Sequence, residues 1–221
     1  MNILAFDTCL NRMFVAVGDE NGVFSSKVVE TTESTYHSAF LISTIVEMLK
    51  ACGLTPAEID VVATNRGPGS FTGIRCCTTV ARVLAQARDL KAIGVSSLEI
   101  LSRINKSNKK TFVALDARKN KAYVAIYDNG KEIFSPQAVE IEKVEDMLKN
   151  DDYCIISDKA LSSKFGGFAY EDINDDLGIY LVKIASEKLA ENCETNWRKL
   201  MPLYIQPPAM NVKKTPVKNN K

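Results

Sequence analysis

Two stretches of this chain read alike at an offset of 109 residues. ILAFDTCLNRMFVAVGDENG begins at Ile3, and FVALDARKNKAYVAIYDNG begins at Phe112. Each is an apolar strand ending in Asp, then a polar turn, a second apolar strand and a second polar turn. Asp7 matches Asp116, Asn11 matches Asn120, Arg12 matches Lys121, Phe14 matches Tyr123 and Asp19 matches Asp128. An ungapped internal repeat of this kind restricts the chain to folds built from two similar units in tandem.

The elements around the repeat follow the same order twice. Strands are expected over 2–8, 13–18 and 23–30, with Asn21-Gly22 as a hairpin turn whose central residues take positive φ. A helix over 34–51 ends at Gly53. A buried strand over 59–63 leads through a glycine-rich turn to a helix over 74–88. The second unit repeats strand, strand and strand (131–140), then a short helix (141–149) and a buried strand (153–157), without a glycine turn like that at 67–73. A last helix is expected over 173–190. The class is therefore α/β, with two similar lobes, mixed sheets that start as antiparallel hairpins, and helices on their faces. The polar stretch NKSNKK (105–110) sets the boundary, giving lobes over 1–105 and 106–212 and a disordered basic tail over 213–221. The last helix is expected to pack back on the first lobe.

With 46% hydrophobic residues, 221 positions suffice for a sizeable core, and a formal net charge of +1 gives no electrostatic case for nucleic acid or a membrane surface. The six cysteines stand outside any C-x-x-C pair and read as buried free thiols of a reducing compartment. No apolar run reaches the roughly 18 residues of a membrane span. Asp7 interrupts the first apolar run, so no signal peptide is read and a cytoplasmic location is expected.

Asn65-Arg66-Gly67-Pro68-Gly69-Ser70-Phe71-Thr72-Gly73-Ile74-Arg75 is the most distinctive segment. Two uses fit a glycine-rich turn between strand and helix. Its free N–H groups and the helix dipole hold a phosphate, or its missing side chains let another backbone come close. The spacing matches neither G-x-x-x-x-G-K-[ST] nor G-x-G-x-x-G. Ser70 and Thr72 are N-cap candidates. Asp7, ending its strand, meets metal and phosphate in a two-lobed phosphotransferase; alternatively it accepts turn N–H groups, a reading that the matching Asp116 favours. His37 is the only histidine and has no second ligand three or four residues on, so no metal site is read. No G-x-S-x-G elbow occurs, and no catalytic residue is assigned. The helix over 34–51 is apolar on more than one stripe, and that over 74–88 is rich in small residues, a pairing that suits a helical partner surface or an adjoining helix of the same chain.

The hairpin with Phe6-Asp7-Thr8, Tyr36-His37-Ser38, the Arg66–Arg75 run, Gly94-Val95-Ser96-Ser97-Leu98-Glu99, Leu115-Asp116-Ala117-Arg118 and Pro202-Leu203-Tyr204-Ile205 together resemble the TsaB family, formerly YeaZ, of bacterial tRNA threonylcarbamoyladenosine biosynthesis proteins. The likeness runs to about residue 207, and Gln206 stands where the family carries Arg. The resemblance implies two ribonuclease-H-like lobes of the actin/hexokinase-like ATPase fold. It implies a non-catalytic subunit that supports the transferase TsaD, together with the ATPase TsaE, in modifying the adenosine 3′ of the anticodon. Such a subunit meets tRNA only through the complex and forms homodimers when TsaD is absent. It needs no cofactor of its own, with ATP or ADP held at the assembled interface. Nucleotide contacts would then fall on Asp7, Thr8, Gly67, Gly69, Ser70 and Gly73. The partner interface would use His37, Phe40, Leu41, Thr44, Ile45 and Met48 from one helix and Thr78, Arg82 and Ala85 from the next. The alternative is an enzyme of the same superfamily, a sugar-kinase-like phosphotransferase or a glycopeptidase.

Overall fold

All five residues of the first strand, β1 (Ile3–Asp7), are buried. Ile3 and Ala5 face one hydrophobic cluster while Leu4 and Phe6 face another. A strand apolar on both faces has to lie inside a sheet covered on both sides. The computed structural model, which describes residues 1–30, 39–149 and 151–206, places β1 at the centre of a five-stranded sheet. Its order is β3 (Gly22–Glu30), β2 (Arg12–Asp19), β1, β4 (Val61–Asn65) and β5 (Lys91–Val95). The hairpin strands pair antiparallel, and β4 and β5 join parallel.

The second sheet has the corresponding order: β8 (Lys131–Glu140), β7 (Lys121–Asp128), β6 (Thr111–Asp116), β9 (Cys154–Ser157) and β10 (Phe168–Ala169). β7 begins and ends 109 residues after β2, so the repeat in sequence is a repeat in structure. The pairing register differs by one residue, however. Asp7 lies opposite Phe14, whereas Asp116 lies opposite Ala122. The second turn is tighter, with Arg118, Lys119 and Asn120 all at positive φ. A single-residue slip exchanges the faces of the partner strand. The exchange shows in β6, where Phe112 and Ala114 face the outer core although their counterparts Ile3 and Ala5 face the central one; Phe14 and Tyr123 both face the central core, Phe14 buried and Tyr123 half-buried.

Helices fill the remaining layers. α1 (Leu41–Ala51) and α2 (Phe71–Arg88) cover one face of the first sheet, sharing a core with Leu4, Phe6, Val15 and Val62. α3 (Ser97–Ser102) and α6 (Leu177–Ala190) share one core with the opposite face of that sheet and with Val113, Leu115 and Ile156 of the second. α4 (Ile141–Leu148) and α5 (Lys159–Phe165) close the far face of the second sheet. Ion pairs Arg103–Glu187 (2.7 Å) and Lys188–Glu99 (2.9 Å) join α3 to α6.

Several sequence expectations are corrected. The first hairpin turn centres on Glu20 and Asn21, because Asp19 pairs with Gly22, and Asn21 does not take positive φ. The positive-φ pair occurs instead at Asn129 (φ 48) and Gly130 (φ 79). The helix expected from 74 starts at Phe71, because Ser70 already caps it by accepting Gly73 N–H at 3.3 Å. The last helix starts at Leu177, where Asp176 accepts Gly178 N–H at 2.9 Å. Only Cys9 and Cys77 are fully buried among the thiols; the other four are half-buried. The basic tail over 213–221 lies outside the described residues. Among the described residues, no helix is long and apolar enough to cross a membrane.

Arg12, at the start of β2, joins the halves. It pairs with Glu30 at 3.3 Å and donates to the carbonyls of Ile173 and Glu171. The Glu171 side chain is half-buried, and its Oε2 lacks a partner among the described residues. Burial pushes this carboxyl above its ordinary value of 4.5. The folded state therefore favours the protonated form. That stabilisation is complete below 4.5 and is lost as pH rises through the raised folded value. Glu171→Gln is expected to raise the urea midpoint at about pH 7 and to leave it unchanged at about pH 4. An equal shift at both pH values would rule out this account.

Candidate functional site

The glycine turn lies against the first repeat's turn, and the two backbones touch. A Cβ on Gly73 would sit 1.9 Å from the Thr8 carbonyl oxygen, and one on Gly69 would sit 2.5 Å from the Cys9 carbonyl oxygen. Cys9 O accepts Ser70 N–H at 2.8 Å, and Thr8 Oγ1 donates to Gly73 O at 3.0 Å. Of the two uses open to such a turn, close backbone approach is the one realised. The chain's own turn lies against the Gly69 and Gly73 backbones, while Ser70, Phe71 and Thr72 at the start of α2 are exposed.

Asp7 is fully buried beneath this contact. Its Oδ1 accepts Cys9 N–H at 2.6 Å, and at the repeat-equivalent position Asp116 Oδ1 accepts Arg118 N–H at 2.8 Å. Both aspartates therefore close the turn that follows them, the structural reading of the sequence. Burial raises the Asp7 carboxyl above the usual carboxylate value, against the lowering effect of its Cys9 hydrogen bonds. The six residues suggested for nucleotide contact do come together, but they mostly face one another. Asp7, Thr8, Gly67 and Gly73 are buried; Gly69 and Ser70 are exposed. Gly67 is held through its N–H by Asn65 Oδ1 (2.8 Å) and through its carbonyl by Ser97 N–H (2.9 Å).

Beside Gly69 a cleft of about 420 Å³ opens towards the second repeat's turn, lined among others by Pro68, Phe71, Arg118, Lys119 and Tyr204. Arg75 is exposed, but its side chain folds back along the protein surface. Its guanidinium lies 4.0 Å from the Phe71 ring centroid and donates to Tyr204 Oη at 3.0 Å. Gln206 also lines the cleft, and its Nε2 has no partner among the described residues.

The residues suggested for a partner interface need correction. Leu41, Thr44, Ile45 and Met48 form the inward stripe of α1, and Thr78 and Ala85 the inward stripe of α2. All six are buried in the monomer. Arg82 is half-buried, 5.9 Å from the Trp197 ring centroid and donating to Met201 Sδ. His37 lies outside the described residues. Phe40, just before α1, is exposed. The physical reason is simple: a stripe at 3.6-residue spacing identifies a face, and the sheet claimed that face first. What α1 and α2 leave outside is a different apolar set, Ile42 (54% exposed), Val46 (59%) and Val83 (57%). Its sequence signal is the polar company it keeps, since Ser43, Glu47 and Lys50 share the outer side of α1.

The family described as TsaD, tRNA N6-adenosine threonylcarbamoyltransferase, matches residues 23–201. The tRNA threonylcarbamoyladenosine biosynthesis protein TsaB of Bacillus subtilis is 30% identical over 161 residues, spanning 69% of this chain and 68% of the relative. The chain belongs to the TsaB family of tRNA threonylcarbamoyladenosine biosynthesis proteins. YeaZ from Pseudomonas aeruginosa superposes with a TM-score of 0.76 at 22% identity, covering 92% of this chain and 99% of that one. That likeness extends the fold assignment over nearly the whole chain. An inorganic polyphosphate/ATP-glucomannokinase from Arthrobacter superposes at 0.52 with 8% identity, covering 85% of this chain and 99% of that one, which places the TsaB-family architecture in the actin/hexokinase-like ATPase fold.

Proposed function

We propose that this chain is a non-catalytic subunit that binds and supports the TsaD transferase, together with the ATPase TsaE, in threonylcarbamoylation of the adenosine 3′ of the tRNA anticodon. One observation carries the non-catalytic reading: the Gly69 and Gly73 backbones are packed onto Thr8 and Cys9, with Asp7 sealed beneath them. A phosphotransferase needs that space for the phosphate oxygens of its substrate. The outer face of α1 and α2, with Ile42, Val46 and Val83, is the docking surface in this reading, and two copies pair through it when TsaD is absent. Nucleotide contact in this reading falls on the exposed Gly69, which lines the cleft, and on its exposed neighbour Ser70, at the assembled interface. The chain meets tRNA only through the complex.

Reconstitution tests the proposal. TsaD with TsaE alone is expected to modify tRNA poorly, and adding this chain should restore turnover. Calorimetry of the isolated chain with Mg-ATP should show no tight binding. Tight binding with hydrolysis would overturn the non-catalytic assignment.

A further inference from the structure

Under the turn contact lies a cluster that the proposed function does not use. Asp7, Cys9 and Cys77 are all buried, and one donor atom from each lies within 4.8 Å of the others. Cys9 follows β1, and Cys77 comes from the second turn of α2. Three details set these groups up as ligands. Asp7 Oδ1 is held by Cys9 N–H at 2.6 Å, which leaves Oδ2 fully buried with no partner among the described residues. Cys77 Sγ accepts Thr8 N–H at 3.0 Å and lies 3.1 Å from Thr8 Oγ1, contacts that fix the sulfur beside Asp7. The Cys9 thiol donates to Asn65 O at 3.5 Å, and that proton leaves when a cation binds.

We propose that Asp7, Cys9 and Cys77 bind a structural zinc ion, which ties the β1–β2 turn to the start of α2. Donors no more than 4.8 Å apart place a central cation within about 2.8 Å of each, so a closure of about half an ångström reaches zinc bond lengths of 2.0–2.3 Å. Two sulfurs and one carboxylate oxygen suit a soft divalent ion rather than calcium or magnesium. Thr8 Oγ1 is at hand as a fourth oxygen donor. Because the site is closed, the ion enters as the two segments come together, and binding is linked to folding.

The test is metal analysis of the chain purified from cells grown with added zinc, and absorption spectra of chain from cells grown with cobalt. About one zinc per chain is expected, with a sulfur-to-cobalt charge-transfer band in the near ultraviolet. A Cys9→Ser/Cys77→Ser double variant should lose both signals, whereas Cys76→Ser should keep them. A metal-free native chain, full occupancy in the double variant, or a Cys9–Cys77 disulfide found by peptide mapping would each overturn the proposal. If the double variant fails to fold, the cobalt spectrum of the native chain decides alone, and absence of the band refutes the site.

Discussion

Gly73→Ala is expected to destabilise the chain by about 3 kcal/mol or more, although alanine is the better helix former by about 1 kcal/mol. The sign follows from the added carbon, which would lie 1.9 Å from the Thr8 carbonyl oxygen. That oxygen belongs to the backbone, so no side-chain rotation relieves the clash. Relief requires the β1–β2 turn to move off α2, breaking the Ser70 N–H to Cys9 O bond and the Thr8 Oγ1 to Gly73 O bond. For a domain of this size the loss corresponds to a fall in melting temperature of about 6–12 °C. Thr72→Ala, exposed one position earlier, is the control and should stay within about 0.5 kcal/mol. Urea melts of the three proteins measure this. A Gly73→Ala chain as stable as its parent would mean that the turn does not rest on the glycine backbone.

Val46→Glu should separate partner binding from folding. Val46 is 59% exposed on the outer side of α1, so a carboxylate there is solvated and stability should change by no more than about 0.5 kcal/mol. In a docked helical interface the same charge is buried without a partner. Affinity for TsaD is then expected to fall about 30-fold or more, the scale of one hot-spot residue. Leu41→Glu makes the opposite pattern, because Leu41 is buried under the sheet and its replacement should unfold the chain. Binding isotherms alongside melting curves distinguish the two. Wild-type affinity in Val46→Glu would remove the α1–α2 face from the interface.

The outcome for α1 shows what a helical pattern conveys. Leu41, Thr44, Ile45 and Met48 recur at the spacing of one face, and the structure keeps them on one face. Periodicity does not say whether that face meets the chain's own sheet or another protein. Burial energetics favour the sheet, since an intramolecular contact carries no cost of association. The surplus apolar residues, Ile42 and Val46, stay exposed on the other side, the face that the proposed function assigns to a partner. The strands β5 and β10 drew no reading from the sequence because Gly94 interrupts the apolar run of β5 and β10 is only two residues long.

The amino-acid order alone determined the tandem architecture, through the match at an offset of 109 residues, and the hairpin that opens each half, through alternation within a few positions; for the helix cap it offered Ser70 and Thr72, and the structure chose Ser70. Tertiary structure decided that Gly69 and Gly73 admit a backbone rather than a phosphate, which side of α1 faces outward, and that Cys9 and Cys77 meet beside Asp7. Each of those is a property of two segments far apart along the chain, and it exists only once the sheet has brought them to the same place.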